Sequence, residues 1–213
     1  MNFERFVNSL SKIKDFPLPG IKAQLEMAPL IRQQELREYG ERRRNARRAA
    51  VLSLFYPDQR DQTNFMLIHR KTYPGVHSNQ VGFPGGKFEE EDKGLEQTAL
   101  RETEEEIGVS KNSITIIKEL TDLYIPPSNF VVQPYLGLIE HTPSFVPQDD
   151  EVEGLIEVKL SHFLEDRSLT SQKLSTSYAK EIEVPAFELN GYIVWGATAM
   201  MLNEVKAILR ATI

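Results

Sequence analysis

Three glutamates, Glu102, Glu105 and Glu106, stand in the run Arg101-Glu102-Thr103-Glu104-Glu105-Glu106-Ile107-Gly108. On a helix the spacing i, i+3 and i+4 gathers their carboxylates on one face, while Leu100, Thr103 and Ile107 turn away from it. Like charges so placed repel by roughly 0.2–0.5 kcal/mol per pair. A hard divalent cation with oxygen ligands reverses that cost, so magnesium or manganese is the ion the spacing points to. Just upstream, Phe83-Pro84-Gly85-Gly86-Lys87 offers close backbone approach and a lysine for phosphate charge. These are the parts that metal-assisted chemistry on a pyrophosphate requires. Arg101 can orient the carboxylates through a salt bridge to an acid of the intervening loop, with Asp92 as its partner. The competing reading is a solvated, charge-rich helix face running from Glu89 to Glu106.

Such a site needs a scaffold, and the chain supplies the signals for one. Gly94 to Ile107 has helical spacing with no proline and no internal glycine, and Gly108 follows as a stop. Before it, Ala49 to Tyr56 and Asn64 to Arg70 are β-rich runs joined by the polar Pro57 to Thr63, as in a hairpin or meander. Beyond it, Ser113 to Lys118, Val131 to Ile139 and Glu153 to Val158 read as strands, Leu160 to Glu165 as a helical turn, and Tyr192 to Trp195 as a short strand. Thr198 to Ala211 is expected to form a terminal helix. Towards the N-terminus, Phe3, Phe6, Val7 and Leu10 recur at helical spacing, Pro17 to Gly20 interrupts, and a charged helical stretch runs from Gln33 to Arg47. The economical reading is one α+β domain with a mixed sheet and flanking helices, preceded by an N-terminal helical extension.

Bulk properties narrow the classes. The 213 residues are 40% hydrophobic, enough to fill a core. There is no cysteine, which removes disulfides, thiol nucleophiles and thiolate zinc sites together and fits a cytoplasmic location. The first residues show no export signal, and no apolar run approaches the roughly 18 residues a membrane helix needs. The net charge of −6 argues against nucleic acid as a partner. The basic cluster Arg42 to Arg48 reads as a solvated flank of the strand that follows it.

Set side by side, Gly86, Asp92, Arg101, Glu102, Glu105, Glu106, Gly108 and Val109 resemble the box of the Nudix hydrolases, a pattern of glycine, an acid, then Arg-Glu-apolar-x-Glu-Glu-x-Gly-apolar. The likeness has departures: Asp92 stands where glutamate is usual, Thr103 replaces an aliphatic residue, and one extra residue separates Asp92 from Arg101. The resemblance implies a Nudix-like α/β/α sandwich with a mixed sheet over residues 46–213, the extension occupying 1–45. It implies metal held by Glu102, Glu105, Glu106 and Gly86, with Glu105, Glu102 and Arg101 as the catalytic set. The substrate implied is a nucleoside-diphosphate derivative. Glu105 is the first choice of general base, and Glu151, in the acidic loop Asp149-Asp150-Glu151, is the second.

Three further stretches resemble the coenzyme A pyrophosphatase branch. They are Leu67, Arg70 and Phe83-Pro84-Gly85-Gly86; then Ile125-Pro126-Pro127-Ser128-Asn129-Phe130; and Trp195-Gly196-Ala197-Thr198-Ala199. The reaction implied yields adenosine 3',5'-bisphosphate and a 4'-phosphopantetheine, with Arg70, Lys87, Gly85 and Asn129 as substrate-binding residues. The motif ahead of the box is incomplete: Lys71 stands where serine is usual, Gly75 where arginine is, and Asn79 where glycine is. Arg70, Lys71 and Lys87 are the cations available to replace that arginine. His77 and Gln80 share the loop, and Trp195 reads as core rather than as a base-stacking platform. The rival substrates are ADP-ribose, a dinucleoside polyphosphate or a damaged nucleoside triphosphate; the rival class is a non-catalytic binding module. A homodimer contact or a cap on the core are the roles open to the extension.

Overall fold

The computed structural model describes residues 1–30, 33, 43–71, 80–174 and 181–213. Its spine is a parallel pair, β1 (Arg47–Pro57) and β7 (Phe130–Leu138), in register from Arg47 opposite Phe130 to Phe55 opposite Leu138. β2 (Thr63–Arg70) turns back antiparallel beside the far end of β1, as the hairpin reading requires. The short β3 (Val81–Gly82) joins β2, and β4 (Gly85–Lys87) joins the first half of β1. β5 (Thr115–Glu119) and β6 (Leu123–Ile125) both pair antiparallel with β7, and β8 (Val152–Lys159) lines β2. The sheet is therefore mixed.

Alternation along β1 decides what lies on each face. Ala50, Leu52, Leu54 and Tyr56 pack with Leu95, Ala99 and Ile107 of the acidic helix α4 (Leu95–Ile107). Ala49 and Phe55 belong instead to a cluster with Met201, Leu202, Val205 and Leu209 of α6 (Gly196–Thr212). A strand buried on both faces between helices is the α/β/α arrangement expected. α4 stops where its sequence says it should: Gly108 takes the left-handed conformation, φ 71°, and its N–H donates to Glu104.

A second, three-stranded sheet runs β11-β10-β9, built from β9 (Leu169–Leu174), β10 (Ile182–Leu189) and β11 (Tyr192–Trp195), with the helical turn α5 (Leu160–Leu164) before it. Only β11 was expected from the sequence. Trp195 ends that strand partly exposed rather than in the core. The helix expected over 33–47 falls largely outside the described residues; Arg43 and Arg44 are helical, and from Arg47 the chain is strand. No helix among the described residues is long and apolar enough to cross a membrane.

The N-terminal segment forms three short helices, α1 (Phe3–Val7), α2 (Leu10–Asp15) and α3 (Gly20–Leu25). Phe6 stacks on Phe55 of β1 with ring centroids 5.0 Å apart, and Phe3, Ile13, Leu25 and Met27 are buried in the α6-side cluster. A buried carboxylate fastens the arrangement. Glu204 of α6 accepts from the Gly20 N–H at 3.1 Å, the Gln24 amide at 3.1 Å, the Thr121 hydroxyl at 2.6 Å and the Thr121 N–H at 3.2 Å. Glu204→Ala leaves those donors without their acceptor and should cost about 3 kcal/mol. Urea denaturation would measure it, and limited proteolysis should show earlier cutting within residues 1–30.

Candidate active site

Asp92 lies in the loop between β4 and α4, 6% exposed. Its Oδ2 accepts from the Thr98 hydroxyl at 2.8 Å and from the Glu89 N–H at 3.1 Å. The Arg101 guanidinium grips it at two points, Nε to Oδ1 at 3.0 Å and Nη2 to Oδ2 at 2.9 Å. That fork, with help from the Glu89 N–H and Thr98, holds the Asp92 carboxyl well below the usual range, at about 2. The rest of the guanidinium faces the site: Nη1 reaches Glu102 at 3.0 Å and Glu105 at 3.1 Å, and Nη2 donates to the Lys87 carbonyl at 3.0 Å. The extra residue between Asp92 and Arg101 leaves their pairing intact.

Glu106 is the buried member of the triplet, its side chain 2% exposed. Arg70 Nη1 donates to its Oε1 at 2.8 Å, and the Gly85 N–H to its Oε2 at 2.7 Å. Burial pushes its carboxyl up to about 7 against the pull of Arg70 and Gly85, and the charges of Glu102 and Glu151 push the same way. Glu102, partly buried, is also raised, by burial first, with Glu105 and Glu151 adding to it and Arg101 opposing. Glu105 is the exposed one, with a side chain 56% accessible.

The two glycines of β4 do different work. Gly85 has φ 146°, and a Cβ there would sit 2.3 Å from the Ala50 carbonyl oxygen and 2.6 Å from the Val51 Cα. Gly86 lies under Glu102, whose carboxyl carbon would be 2.3 Å from an added Cβ. The first glycine is demanded by backbone, the second by a carboxylate. Among the described residues, no three acidic or histidine side chains close into a ready-made metal cage. Glu105 leans to Arg101, and both Glu106 oxygens already accept from protein donors. Each carboxylate oxygen still keeps a second lone pair, and the donors presented are all oxygen, a set that suits magnesium or manganese.

The structure gathers Arg101, Glu102, Glu105, Glu106, Gly85 and Gly86 in one place. It also sorts the expected substrate-binding residues. The Arg70 guanidinium is engaged inside the protein, by Glu106 and by the Gly85 carbonyl at 2.8 Å, because a buried carboxylate needs a cation. Lys71 Nζ donates to the Asp149 carbonyl. Lys87 is exposed. Asn129 takes a positive φ of 53° in the β6–β7 turn, accepts from the Tyr124 hydroxyl at 3.0 Å, and its carbonyl accepts from Arg47 N–H. Phe130 is in register with Arg47, and Lys87 with Ala49, so the turn shares an end of the sheet with β4. Gly75, His77 and Asn79 lie outside the described residues. The contacts of Thr98, Gln148 and Val146 with this site were not foreseen. The Gln148 N–H donates to the Glu106 carbonyl at 3.0 Å and the Val146 N–H to that of Ile107 at 2.9 Å, which docks the acidic loop on the end of α4.

The NUDIX domain profile matches residues 45–175, a span that contains the whole constellation. The chain belongs to the Nudix hydrolase family. The uncharacterized Nudix hydrolase NudL of Yersinia pestis is 31% identical over 166 residues, covering 75% of this chain and 78% of that protein. Mitochondrial Nudix hydrolase 15 of Arabidopsis thaliana is 29% identical over 168 residues, 76% of this chain; the chain spans 58% of that protein's length. Among solved structures, the Nudix hydrolase RenU of M. smegmatis superposes with a TM-score of 0.54 at 14% identity, covering 78% of this chain and 87% of RenU. A MutT/nudix family protein from Enterococcus faecalis gives 0.51 at 19%, covering 78% of this chain and 62% of that one. These two neighbours share the Nudix fold.

The glycines should respond differently. Gly85→Ala meets rigid backbone and is expected to cost about 3 kcal/mol in thermal unfolding. Gly86→Ala meets only the end of the Glu102 side chain, so stability should change by less than about 1 kcal/mol while turnover falls about 100-fold through misplacement of that carboxylate. The depressed Asp92 pKa contributes about 2 kcal/mol of stability, fully present above its unfolded value of 3.8 and lost as pH falls from there to about 2. Denaturation of wild type and Asp92→Asn across that range should show the gap between them closing as pH drops.

Proposed function

We propose that this Nudix pyrophosphohydrolase splits the pyrophosphate linkage of coenzyme A, or of an acyl or oxidised derivative, giving adenosine 3',5'-bisphosphate and a 4'-phosphopantetheine. The observation that carries the reading is the meeting of the three coenzyme-A-like stretches around one end of the sheet. Thr198 of the Trp195–Ala199 stretch donates to the Val81 carbonyl at 3.0 Å, and the Cβ position of Gly82 lies 3.7 Å from Arg70 Nε and 3.9 Å from the Thr198 hydroxyl. The Ile125–Phe130 turn flanks the same end through Arg47. Segments far apart in sequence and converging beside the acidic helix are what a long, bipartite substrate requires.

Nudix hydrolases use divalent metal ions, and the residues that would hold one here are Glu102, Glu105, Glu106 and the Gly86 backbone. When bound, such an ion polarises a phosphoryl oxygen and eases deprotonation of the attacking water. The chain's own part is alignment and proton transfer. Arg101 keeps Glu102 and Glu105 side by side, and Arg70 with Gly85 fixes Glu106. Glu105, the most exposed of the three, is the first acceptor for the water proton, and Glu151 the second. The water oxygen bonds to one phosphorus, the bridging P–O bond breaks, and the bridging oxygen leaves on the other phosphate.

Release of phosphate esters should be followed for coenzyme A, acetyl-coenzyme A, ADP-ribose, diadenosine polyphosphates and nucleoside triphosphates, with magnesium, with manganese and with chelator. Coenzyme A species should turn over fastest and chelator should stop them; faster turnover of ADP-ribose or another diphosphate would overturn the substrate assignment. Glu105→Gln should lower kcat by about 10²–10⁴-fold while the thermal midpoint stays put.

A further inference from the structure

Lys71 departs from the motif that precedes the box, and its side chain goes to an unexpected place. It follows Arg70 at the end of β2, after a register shift between His69 and Arg70 against β8. Its backbone N–H donates to the Glu151 carbonyl at 2.9 Å, and its ammonium to the Asp149 carbonyl. The same loop is anchored at its other side on α4, by Val146 N–H on Ile107 and Gln148 N–H on Glu106, and it presses on Gly108, where a Cβ would meet Val146 at 2.7 Å. Within the loop the Gln148 side chain accepts from Glu151 N–H at 2.8 Å. Glu151 is thus held between two supports, the end of the metal-binding helix and the end of β2. Its charge bears on both Glu102 and Glu106.

We propose that Lys71 is a positioning residue, whose ammonium straps the 146–151 loop to β2 so that Glu151 faces the Glu102–Glu106 pair, and not a cation for substrate phosphate. The inference rests on the hydrolytic reading of this site. It gives the departure from serine a use: the lysine ammonium adds a charged donor to a loop carbonyl beyond the bond its own backbone N–H makes to Glu151.

The test uses the full chain with Lys71→Ala, Lys71→Arg, Glu151→Gln and the double variant Lys71→Ala/Glu151→Gln. Hydrogen exchange should quicken about 10-fold at amides 146–152 in Lys71→Ala, not within Leu95–Ile107, and should return towards wild type in Lys71→Arg. Affinity for manganese, read from the free ion's resonance, should weaken in Lys71→Ala to the extent it does in Glu151→Gln. On whichever diphosphate the wild type hydrolyses fastest, Lys71→Ala should lower kcat about 10-fold with KM within about 2-fold, and the double variant should be no worse than Glu151→Gln. Unchanged exchange in the loop overturns the proposal. So does a raised KM with intact kcat, the signature of a lost phosphate contact, or losses that multiply in the double variant. A chain that hydrolyses no diphosphate would sink the hydrolytic reading, while exchange and manganese affinity would still decide the role of Lys71.

Discussion

Several carboxylates of one sign must stay close together on α4, and the Arg101 fork is what makes that tolerable. One guanidinium satisfies Asp92 at two points, reaches Glu102 and Glu105, and accepts a place under the Lys87 carbonyl. Its planar geometry matters as much as its charge: a lysine in that position presents a point charge and cannot serve four acceptors in fixed directions. The loop between β4 and α4 takes its shape from this contact, and through the loop so does the distance between the glycine strand and the acidic face. Arg70 repeats the device one step deeper, joining Glu106 to the Gly85 carbonyl.

The parts of this site that are local in sequence were legible there. α4, its glycine stop, its acidic face and the Asp92–Arg101 pair all follow from helical period and charge over a short stretch. The β1–β2 hairpin and the strand β7 were legible for the same reason, as long apolar runs, but the parallel pairing of β1 with β7 was not. β9 and β10 were not: β9 alternates weakly among polar residues, and β10 carries Pro185, which lacks the N–H of an ordinary strand residue. β4 is a three-residue strand with two glycines and has no β signal at all.

What sequence could not reveal was who partners whom at a distance. Arg70 reads as a free cation in a phosphate-binding motif until the fold sets a buried carboxylate beside it, 36 positions on. The acidic loop reads as unattached surface until the backbone of residues 146–151 is seen bonded to the end of α4 through Val146 and Gln148 and to the end of β2 through Glu151. In each case the signal is a tertiary hydrogen bond between groups whose types are common, so neither composition nor spacing distinguishes them from solvated surface.

The buried Glu204 also bears on the order in which the chain can fold. Its partner Gly20 is 184 positions away, and Gln24 is 180. During synthesis the α1–α3 segment emerges with its apolar side chains and its donors unsatisfied, and it stays so until α6 has been made. Contacts of such separation close late and slowly. The N-terminal residues are thus the part of a nascent chain most exposed to wrong partners, and the sheet has to form without their cover.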